Sequence, residues 1–131
     1  MNKRRVLVIE DNEKNMYLIR FLLENAGHEV VTARDGRSGI ETAAAIKPDL
    51  ILLDIQLPVM DGYEVARAIR RNGNLDDTPI VAVTSYAMPG DREKTIDAGC
   101  DGYLEKPIDP DTFAAVIGGY LKEKRRRERR P

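Results

Sequence analysis

Four short aliphatic runs in this chain end directly in polar or charged residues. The runs and the residues that follow them are VLVI before Glu10 and Asp11, LILL before Asp54, IVAV before Thr84, and YL before Glu105 and Lys106. Runs of this length that are rich in β-branched residues and do not alternate with polar residues indicate strands buried on both faces. The pattern therefore predicts a parallel sheet that is covered by helices on both sides.

Segments with helical spacing of apolar residues separate the predicted strands, which lie near 5–10, 29–33, 50–54, 79–83 and 101–105. Regular alternation of strands and helices with right-handed crossovers predicts an α/β fold. The expected architecture is a flavodoxin-like (βα)5 doubly wound sheet of five parallel strands in the order 2-1-3-4-5. The segment 29–33 is the most polar strand and suits an edge of the sheet.

The helix boundaries follow from local signals in the sequence. Gly27 ends the first helix and Pro48 ends the second, while the third begins after Asp61. The fifth helix is expected to begin at Pro110, with Asp109 as its N-cap. The fourth helix, at about 88–98, has little apolar periodicity, with Ile96 almost alone as an apolar residue. We therefore expect it to be the least stable helix and a candidate for switching motions.

The polar residues after the strands are expected to form one site, because parallel strands present their carboxyl ends at the same edge of a sheet. Two carboxylates ~4 Å apart repel by about 4 kcal/mol at an effective dielectric of about 20, so Glu10, Asp11 and Asp54 need a cation or a raised pKa. Mg²⁺ is suitable, since it prefers one or two carboxylates, waters and phosphate oxygens. Lys106 and Thr84 can contact a phosphoryl group while Asp54 attacks phosphorus in line.

Length and composition predict one cytosolic domain. The chain has 131 residues, and its one cysteine, Cys100, excludes an internal disulfide and fits a reducing compartment. No apolar stretch approaches the ~20 residues that span a bilayer. We therefore expect no membrane span and a cytoplasmic location.

The net charge of −1 conceals a basic segment at the end of the chain. Residues 122–130 (KEKRRRERR) contain seven Lys or Arg and two Glu, a local charge of +5, so the remainder carries −6. An acidic body is a poor match to nucleic-acid binding. We therefore predict a domain at 1–121 and a basic C-terminal tail at 122–131. The tail could be a solvated extension or a docking element for acidic partners, anionic lipid or nucleic acid.

From Val6 to about Leu121 the chain resembles the receiver domain of two-component response regulators. The matching segments are VLVIEDN, PDLILLDIQLPVMDG, PIVAVTSYAM and AGCDGYLEKPI. The separations between Asp54, Thr84 and Lys106 also match this family. The segments EDNEKN and TSYAMPGDREK are most similar to stand-alone regulators of the cell-division type and to receivers of hybrid kinases.

The resemblance implies a role for each residue of the site. Asp54 would be the phosphoacceptor, and Thr84 and Lys106 would contact the phosphoryl oxygens. The metal ligands, for Mg²⁺, would be Glu10, Asp11, Asp54 and the backbone carbonyl of Gln56. Tyr103 would be the aromatic that turns inward as Thr84 moves, and the bond from Lys106 to Pro107 would be cis. Two positions depart from the family: Glu10 stands where aspartate is frequent, and Ser85 where alanine is frequent.

The function that this resemblance implies is phosphorelay signal transduction by a response regulator that is not a classical enzyme. A sensor histidine kinase or a histidine phosphotransfer protein would supply the phosphoryl group. The acyl phosphate would change the surface of the fourth helix, fifth strand and fifth helix, and so the affinity for a downstream protein target. Since no output domain follows in the sequence, we expect an interaction switch with no direct contact to nucleic acid. We also expect a monomer that could dimerise on phosphorylation.

Three other interpretations remain open. A Mg²⁺-dependent phosphatase with an aspartyl nucleophile would usually have an acidic residue two positions after Asp54, where this chain has Gln56. A flavin or nucleotide-binding module of the same fold would need glycine in the first loop, and residues 10–14 contain none. A pseudo-receiver that is not phosphorylated is the third, although the complete acidic set argues against it.

Overall fold

The computed structural model describes residues 3–85 and 89–122, which form a five-stranded parallel sheet with helices on both faces. The strands are β1 (Arg5–Ile9), β2 (Glu29–Ala33), β3 (Leu50–Asp54), β4 (Ile80–Thr84) and β5 (Gly102–Glu105). The helices are α1 (Glu13–Asn25), α2 (Gly36–Ile46), α3 (Gly62–Arg70), α4 (Asp91–Ala98) and α5 (Phe113–Lys122), with a short 3-10 helix at Gly73–Leu75. The strand order β2-β1-β3-β4-β5 confirms the predicted topology.

The core consists of two layers, one on each face of the sheet. Alternate residues of β1 and β3, such as Leu7 and Leu53, pack with α2, α3 and α4. The residues between them, such as Val8 and Leu52, pack with α1 and α5. Burying one such side chain completely contributes about 1.5–3 kcal/mol. The two layers explain why the runs lack alternation, since both faces of the central strands are covered.

Strand β2 lies at an edge of the sheet, as its polar sequence predicts. It pairs only with β1 among the described strands, from Arg5 opposite Glu29 to Ile9 opposite Ala33. Glu29 and Thr32 are exposed, whereas every residue of β3 and β4 is buried. The edge position leaves β1 and β3 adjacent, which brings the two acidic segments together.

Side-chain caps start the helices that flank the acidic segments. Asn12 is the N-cap of α1, and its side chain accepts a hydrogen bond from the Asn15 N–H at 3.0 Å. Asp61 and Glu64 form a reciprocal capping box at the start of α3. Each cap satisfies backbone donors that the first turn leaves unpaired. Both caps fix the path of the chain where it leaves the carboxyl ends of β1 and β3.

The predicted start of the fifth helix is wrong by three residues. Regular helix begins at Phe113, although Asp109 has the predicted capping role: its carboxylate accepts from the Asp111 N–H at 2.9 Å and its carbonyl from the Phe113 N–H at 3.0 Å. Residues 110–112 form a turn ahead of the helix.

Helix α4 packs through small residues. Its buried residues are Thr95 and Ala98, whereas Ile96 is 58% exposed. In the sequence Ile96 is almost alone as an apolar residue of this helix, but it does not enter the core. Described helix begins at Asp91, and position 88, the predicted start, lies outside the described residues. The predicted basic tail also lies outside them, except for Lys122.

Arg70, the last residue of α3, joins four segments near the amino-terminal ends of the strands, opposite the acidic residues. Its guanidinium donates to the carbonyls of Leu75, Thr78 and Gly99 at 2.8–2.9 Å. It also donates to the Asp101 carboxylate at 2.8 Å. The planar guanidinium suits this role because it presents several donors in a fixed geometry. The end of α3 is thus bonded to the segments that precede β4 and β5.

Candidate functional site

Three carboxylates meet where β1 and β3 end. One oxygen from each of Glu10, Asp11 and Asp54 lies within 4.8 Å of the others. Glu10 is 2% exposed and Asp54 is 3% exposed, whereas Asp11 is open to solvent. Strand pairing explains the proximity, because Ile9 lies opposite Leu53 and the next residue of each strand is acidic. The structure thus brings the three predicted acids together at the predicted edge.

The pKa of Glu10 is raised from 4.5 to about 7. Burial is the main cause, and the charge of Asp54 together with a hydrogen bond between the two carboxyl groups raises it further. The Asn12 N–H, which donates to Glu10 Oε2 at 3.2 Å, and the positive charge of Lys106 act in the opposite direction. The repulsion between carboxylates that the sequence predicts therefore acts on Glu10, where it adds to the effect of burial.

Lys106 provides the positive charge of the site. Its ammonium Nζ lies 3.2 Å from Glu10 Oε1 and 3.3 Å from Asp54 Oδ1, and its side chain is 13% exposed. The backbone positions it, because the Lys106 N–H donates to the carbonyl of Thr84 at 2.8 Å at the end of β5. The bond from Lys106 to Pro107 is cis, as the resemblance implies.

The donor set fits a small divalent cation. Glu10 Oε1 is buried and forms an ion pair with Lys106, but it has no hydrogen-bond partner among the described residues. Three carboxylates and one ammonium leave an excess of negative charge in a poorly solvated place. Oxygen ligands of this kind are those that Mg²⁺ prefers. The site would therefore be stabilised by such an ion.

Gln56 connects this cluster to the end of β4. Its backbone N–H donates to Asp54 Oδ1 at 3.1 Å. Its carboxamide nitrogen Nε2 donates to Thr84 Oγ1 at 2.8 Å, and its Oε1 accepts from the Ser85 N–H at 3.2 Å. Sequence reasoning assigned only the backbone carbonyl of Gln56 a role. No sequence signal indicates where this side chain lies, because its partners are 28 and 29 residues away.

Gly62 allows α3 to begin against the end of β3. A Cβ at this position would lie 2.6 Å from the Asp54 backbone oxygen and 2.6 Å from the Ile55 Cα. The Gly62 N–H also donates to the Ile55 carbonyl at 2.9 Å. Sequence reasoning placed the start of the third helix after Asp61 and assigned Gly62 no role in the site. Its contact with the backbone of Asp54 makes it a determinant of the geometry of the site.

Tyr103 lies apart from the acidic cluster. It is half-buried on β5 and lines a cavity of about 150 Å³ between α4, β5 and α5, with Ile96 and Tyr120 among the other lining residues. Burial and the charges of Glu105 and Asp91 raise the pKa of its phenol. The structure therefore joins Glu10, Asp11, Asp54 and Lys106 directly and Thr84 through Gln56, and it leaves Tyr103 on a different surface.

Comparison with known families gives one match that covers most of the chain. Residues 6–118 match the family described as response regulator receiver domain. The polar-differentiation response regulator DivK of Brucella anthropi is 42% identical over 118 residues, which are 90% of this chain and 96% of that protein. The DivK proteins of other Brucella species, including Brucella ovis, have the same identity.

Solved structures with the same fold are also receiver proteins. The receiver domain of sensor histidine kinase PA1611 from Pseudomonas aeruginosa, with a magnesium ion coordinated in its active site cleft, has a TM-score of 0.86 and 34% identity. The match covers 93% of this chain and all of that domain. The chemotaxis protein CheY4 of Vibrio cholerae has a TM-score of 0.85 and 30% identity, covering 90% of this chain and 98% of that protein.

Proposed function

The chain belongs to the response regulator receiver domain family, and on this basis we propose that it is a phosphorylation-dependent switch in which Asp54 accepts the phosphoryl group. Receiver domains of this family act in two-component signalling. The observation that carries the proposal is the contact of Lys106 Nζ with Asp54 Oδ1 at 3.3 Å beside the carboxylates of Glu10 and Asp11. One nucleophile, one cation and two further acids at the end of a sheet match the needs of phosphoryl transfer.

In the proposed reaction, a carboxylate oxygen of Asp54 attacks phosphorus of a phosphohistidine on the donor protein. A phosphorus–oxygen bond forms and the phosphorus–nitrogen bond breaks, so the imidazole leaves with the electron pair and an acyl phosphate remains. Lys106 neutralises charge on the phosphoryl oxygens, and its contacts with Glu10 and Asp54 already hold its ammonium there. Burial of Asp54 excludes bulk water from the nucleophile.

The residues that would hold Mg²⁺ are Glu10, Asp11, Asp54 and the backbone carbonyl of Gln56. When bound, this ion would supply Lewis-acid stabilisation of the charge on the phosphoryl oxygens. The burial of Glu10 Oε1 and the proximity of the three carboxylates support this assignment. A structural relative, the PA1611 receiver domain, contains magnesium in its active site cleft.

The output of the switch would be a change at the surface formed by α4, β5 and α5. Thr84 would move toward the acyl phosphate, and Tyr103 would turn inward against the cavity that it lines. Helix α4 has little burial to resist such a change, because only Thr95 and Ala98 are buried. A protein target would distinguish the two surfaces.

The proposed partners are a sensor histidine kinase or a histidine phosphotransfer protein as donor, and a protein target that reads the changed surface. On this assignment the chain takes part in its own phosphorylation and is not a classical enzyme. The receiver domain would extend over 1–121, and the basic segment 122–131 would lie beyond it. None of the described helices has both the length and the apolar character that crossing a membrane requires.

Intact mass after treatment with acetyl phosphate and Mg²⁺ tests the proposal. We expect the wild-type chain to gain the mass of one phosphoryl group and the Asp54→Asn variant to gain none, because its amide is not nucleophilic. Asp77→Asn is a matched control, since Asp77 is an exposed aspartate just before β4, at the edge of the sheet opposite the site. Phosphorylation of Asp54→Asn at the wild-type rate would overturn the assignment.

A further inference from the structure

The side chain of Gln56 uses both ends of its carboxamide to hold the end of β4. Nε2 donates to Thr84 Oγ1 at 2.8 Å, and Oε1 accepts from the Ser85 N–H at 3.2 Å. The Ser85 N–H can only donate, so the oxygen of the carboxamide must face it and the nitrogen must face Thr84. A single planar group thus binds one residue of β4 and the residue after it.

This contact begins where the backbone pairing between β3 and β4 stops. The paired residues of the two strands end at Asp54 opposite Val83, and the last backbone bond runs from the Ile55 N–H to the Val83 carbonyl at 3.0 Å. Thr84 and Ser85 lie beyond this point. On the side of β3, the Gln56 carboxamide is therefore the next connection that holds them.

The same residue contacts the phosphoacceptor. The Gln56 N–H donates to Asp54 Oδ1 at 3.1 Å, the oxygen that Lys106 Nζ also approaches. Gln56 is thus bonded to Asp54 through its backbone and to Thr84 through its side chain. These two bonds link the residue that would be phosphorylated to the residue that would move in response.

We propose that the Gln56 carboxamide is a latch that holds Thr84 and Ser85 in their position before phosphorylation and so sets how readily the acyl phosphate moves them. The inference rests on the proposed function of Asp54 and Thr84. Movement of Thr84 toward the phosphoryl group breaks or displaces the bond from Nε2, and movement of Ser85 does the same to the bond with Oε1. Gln56 is a positioning residue here, separate from any role of its backbone carbonyl in metal binding.

The Gln56→Met variant separates the two roles. Methionine has a similar length but has no donor for Thr84, and its thioether sulfur is only a weak acceptor for the Ser85 N–H. The backbone N–H that bonds Asp54 and the backbone carbonyl both remain. We therefore expect the metal site to persist while Thr84 and Ser85 are released. Gln56→Leu removes the carboxamide with a different shape, and both variants are expected to agree.

The test uses trifluoroberyllate, a stable mimic of an acyl phosphate, with Mg²⁺, and follows the backbone amide resonances of Thr84 and Ser85 by NMR. Before the mimic is added, we expect these resonances in Gln56→Met to lie displaced from wild type toward their mimic-bound positions. We also expect the apparent Kd for the mimic to fall roughly two- to tenfold, the range that corresponds to one neutral hydrogen bond. Val59→Thr is the control, because Val59 is fully exposed in the same loop and the replacement is isosteric.

Each outcome decides between the proposals. Resonances of Gln56→Met and Gln56→Leu at wild-type positions, with an unchanged Kd for the mimic, overturn the latch while the function of Asp54 stands. Displacement of the same size in Val59→Thr also overturns it, because any change in the loop would then act alike. If the wild-type chain does not bind the mimic with Mg²⁺, the proposed function fails and the latch fails with it.

Discussion

Three ionisable side chains, Glu10, Asp54 and Lys106, determine the charge at the centre of the site. The two acids are almost completely removed from water, and the ammonium lies 3.2–3.3 Å from both. Burial is the main cause of the raised pKa of Glu10, and the charge of Asp54, which Lys106 only partly offsets, raises it further. The metal-free site is therefore destabilised by its own charges, and a metal ion or a proton can relieve this.

The pH dependence of stability follows from the pKa of Glu10. Because this pKa is raised from 4.5 to about 7, the folded chain binds the proton more tightly than the unfolded chain does. The stability of the metal-free protein should therefore fall as the pH rises from 4.5 through 7. We expect Glu10→Gln, which cannot ionise, to exceed wild type in free energy of unfolding by about 1–3 kcal/mol at pH 8.

Urea unfolding with a chelator, at pH 5 and at pH 8, measures this difference. The advantage of Glu10→Gln should be clearly smaller at pH 5, where Glu10 in the folded wild-type protein keeps its proton. An advantage of equal size at both pH values would contradict the assigned cause.

Sequence reasoning predicted the residues of the site better than their connections. The positions of Glu10, Asp11, Asp54 and Lys106 follow from one rule, that residues directly after parallel strands share an edge. The Gln56 side chain obeys no such rule, because its partners are set by rotamer and loop path. Its bonds to Thr84 and Ser85 could be read only from three-dimensional coordinates.

At the scale of elements, the strands were predicted to within about one residue, and the helix starts less well. Strand ends are marked by a change from aliphatic to polar residues. The start of α5 is marked by Asp109, which does cap the chain, but the turn at 110–112 delays regular helix to Phe113. A capping side chain accepts hydrogen bonds from the first backbone N–H groups, but the residues of the first turn can still deviate from helical geometry.

Helix α3 depends on the absence of a side chain at Gly62. We expect Gly62→Ala to lower the free energy of unfolding by about 1–3 kcal/mol, because its Cβ would meet backbone atoms of Asp54 and Ile55 that cannot rotate away. Gly119→Ala in the middle of α5 is the matched control. Among the described residues, no atom other than its chain neighbours and the backbone of its own helix lies within 4 Å of the added Cβ, so we expect a gain of about 1 kcal/mol from helix propensity.

Urea unfolding of both glycine variants and of the wild-type protein measures the two changes in free energy of unfolding. A loss for Gly119→Ala as large as that for Gly62→Ala would show that the backbone contact at Asp54 is not the cause. Phosphorylation of Gly62→Ala should also slow, since the Cβ would displace the strand that carries the proposed nucleophile, Asp54.

Helix α4 should open more readily than α3. Helix α4 buries Thr95 and Ala98, and its N-cap, Gly90, has no side chain that could accept a capping hydrogen bond. Helix α3 buries the larger Val65 and Ile69 and begins with a capping box. We expect native-state hydrogen exchange to give a lower opening free energy for the α4 amides than for the α3 amides. Equal protection of the two helices would contradict the view that α4 is the pliable element.

At the scale of the whole molecule, the topology places every group of the site on one edge. The order β2-β1-β3-β4-β5 sets β1 and β3 side by side and brings β4 and β5 next to them. The regular alternation of elements was sufficient to predict this arrangement. The function of the basic segment was not predictable in the same way, because a run of like charges specifies no packing. A receiver domain at 1–121 and a cytosolic location stay predictions.

Magnesium should stabilise the whole fold, because an ion that binds only the folded chain shifts the unfolding equilibrium. At a free concentration of about 100 times its Kd, the expected gain is about 2.7 kcal/mol. Thermal unfolding in MgCl2 and in NaCl of equal ionic strength separates binding from screening. The Asp54→Ala variant should lose most of this difference, and an equal rise for both proteins would argue against a site at these carboxylates.

The hydrogen bonds that Arg70 donates to four described residues have a mechanical consequence for the proposed switch. They bind the residues just before β4 and β5 to the end of α3, at the end of the sheet opposite the acidic cluster. Both strands are therefore held at their amino-terminal ends, whereas the residues of the candidate site lie at their carboxyl ends. Any displacement caused by phosphorylation should then be largest at the carboxyl ends of β4 and β5, and the rest of the protein should deform little.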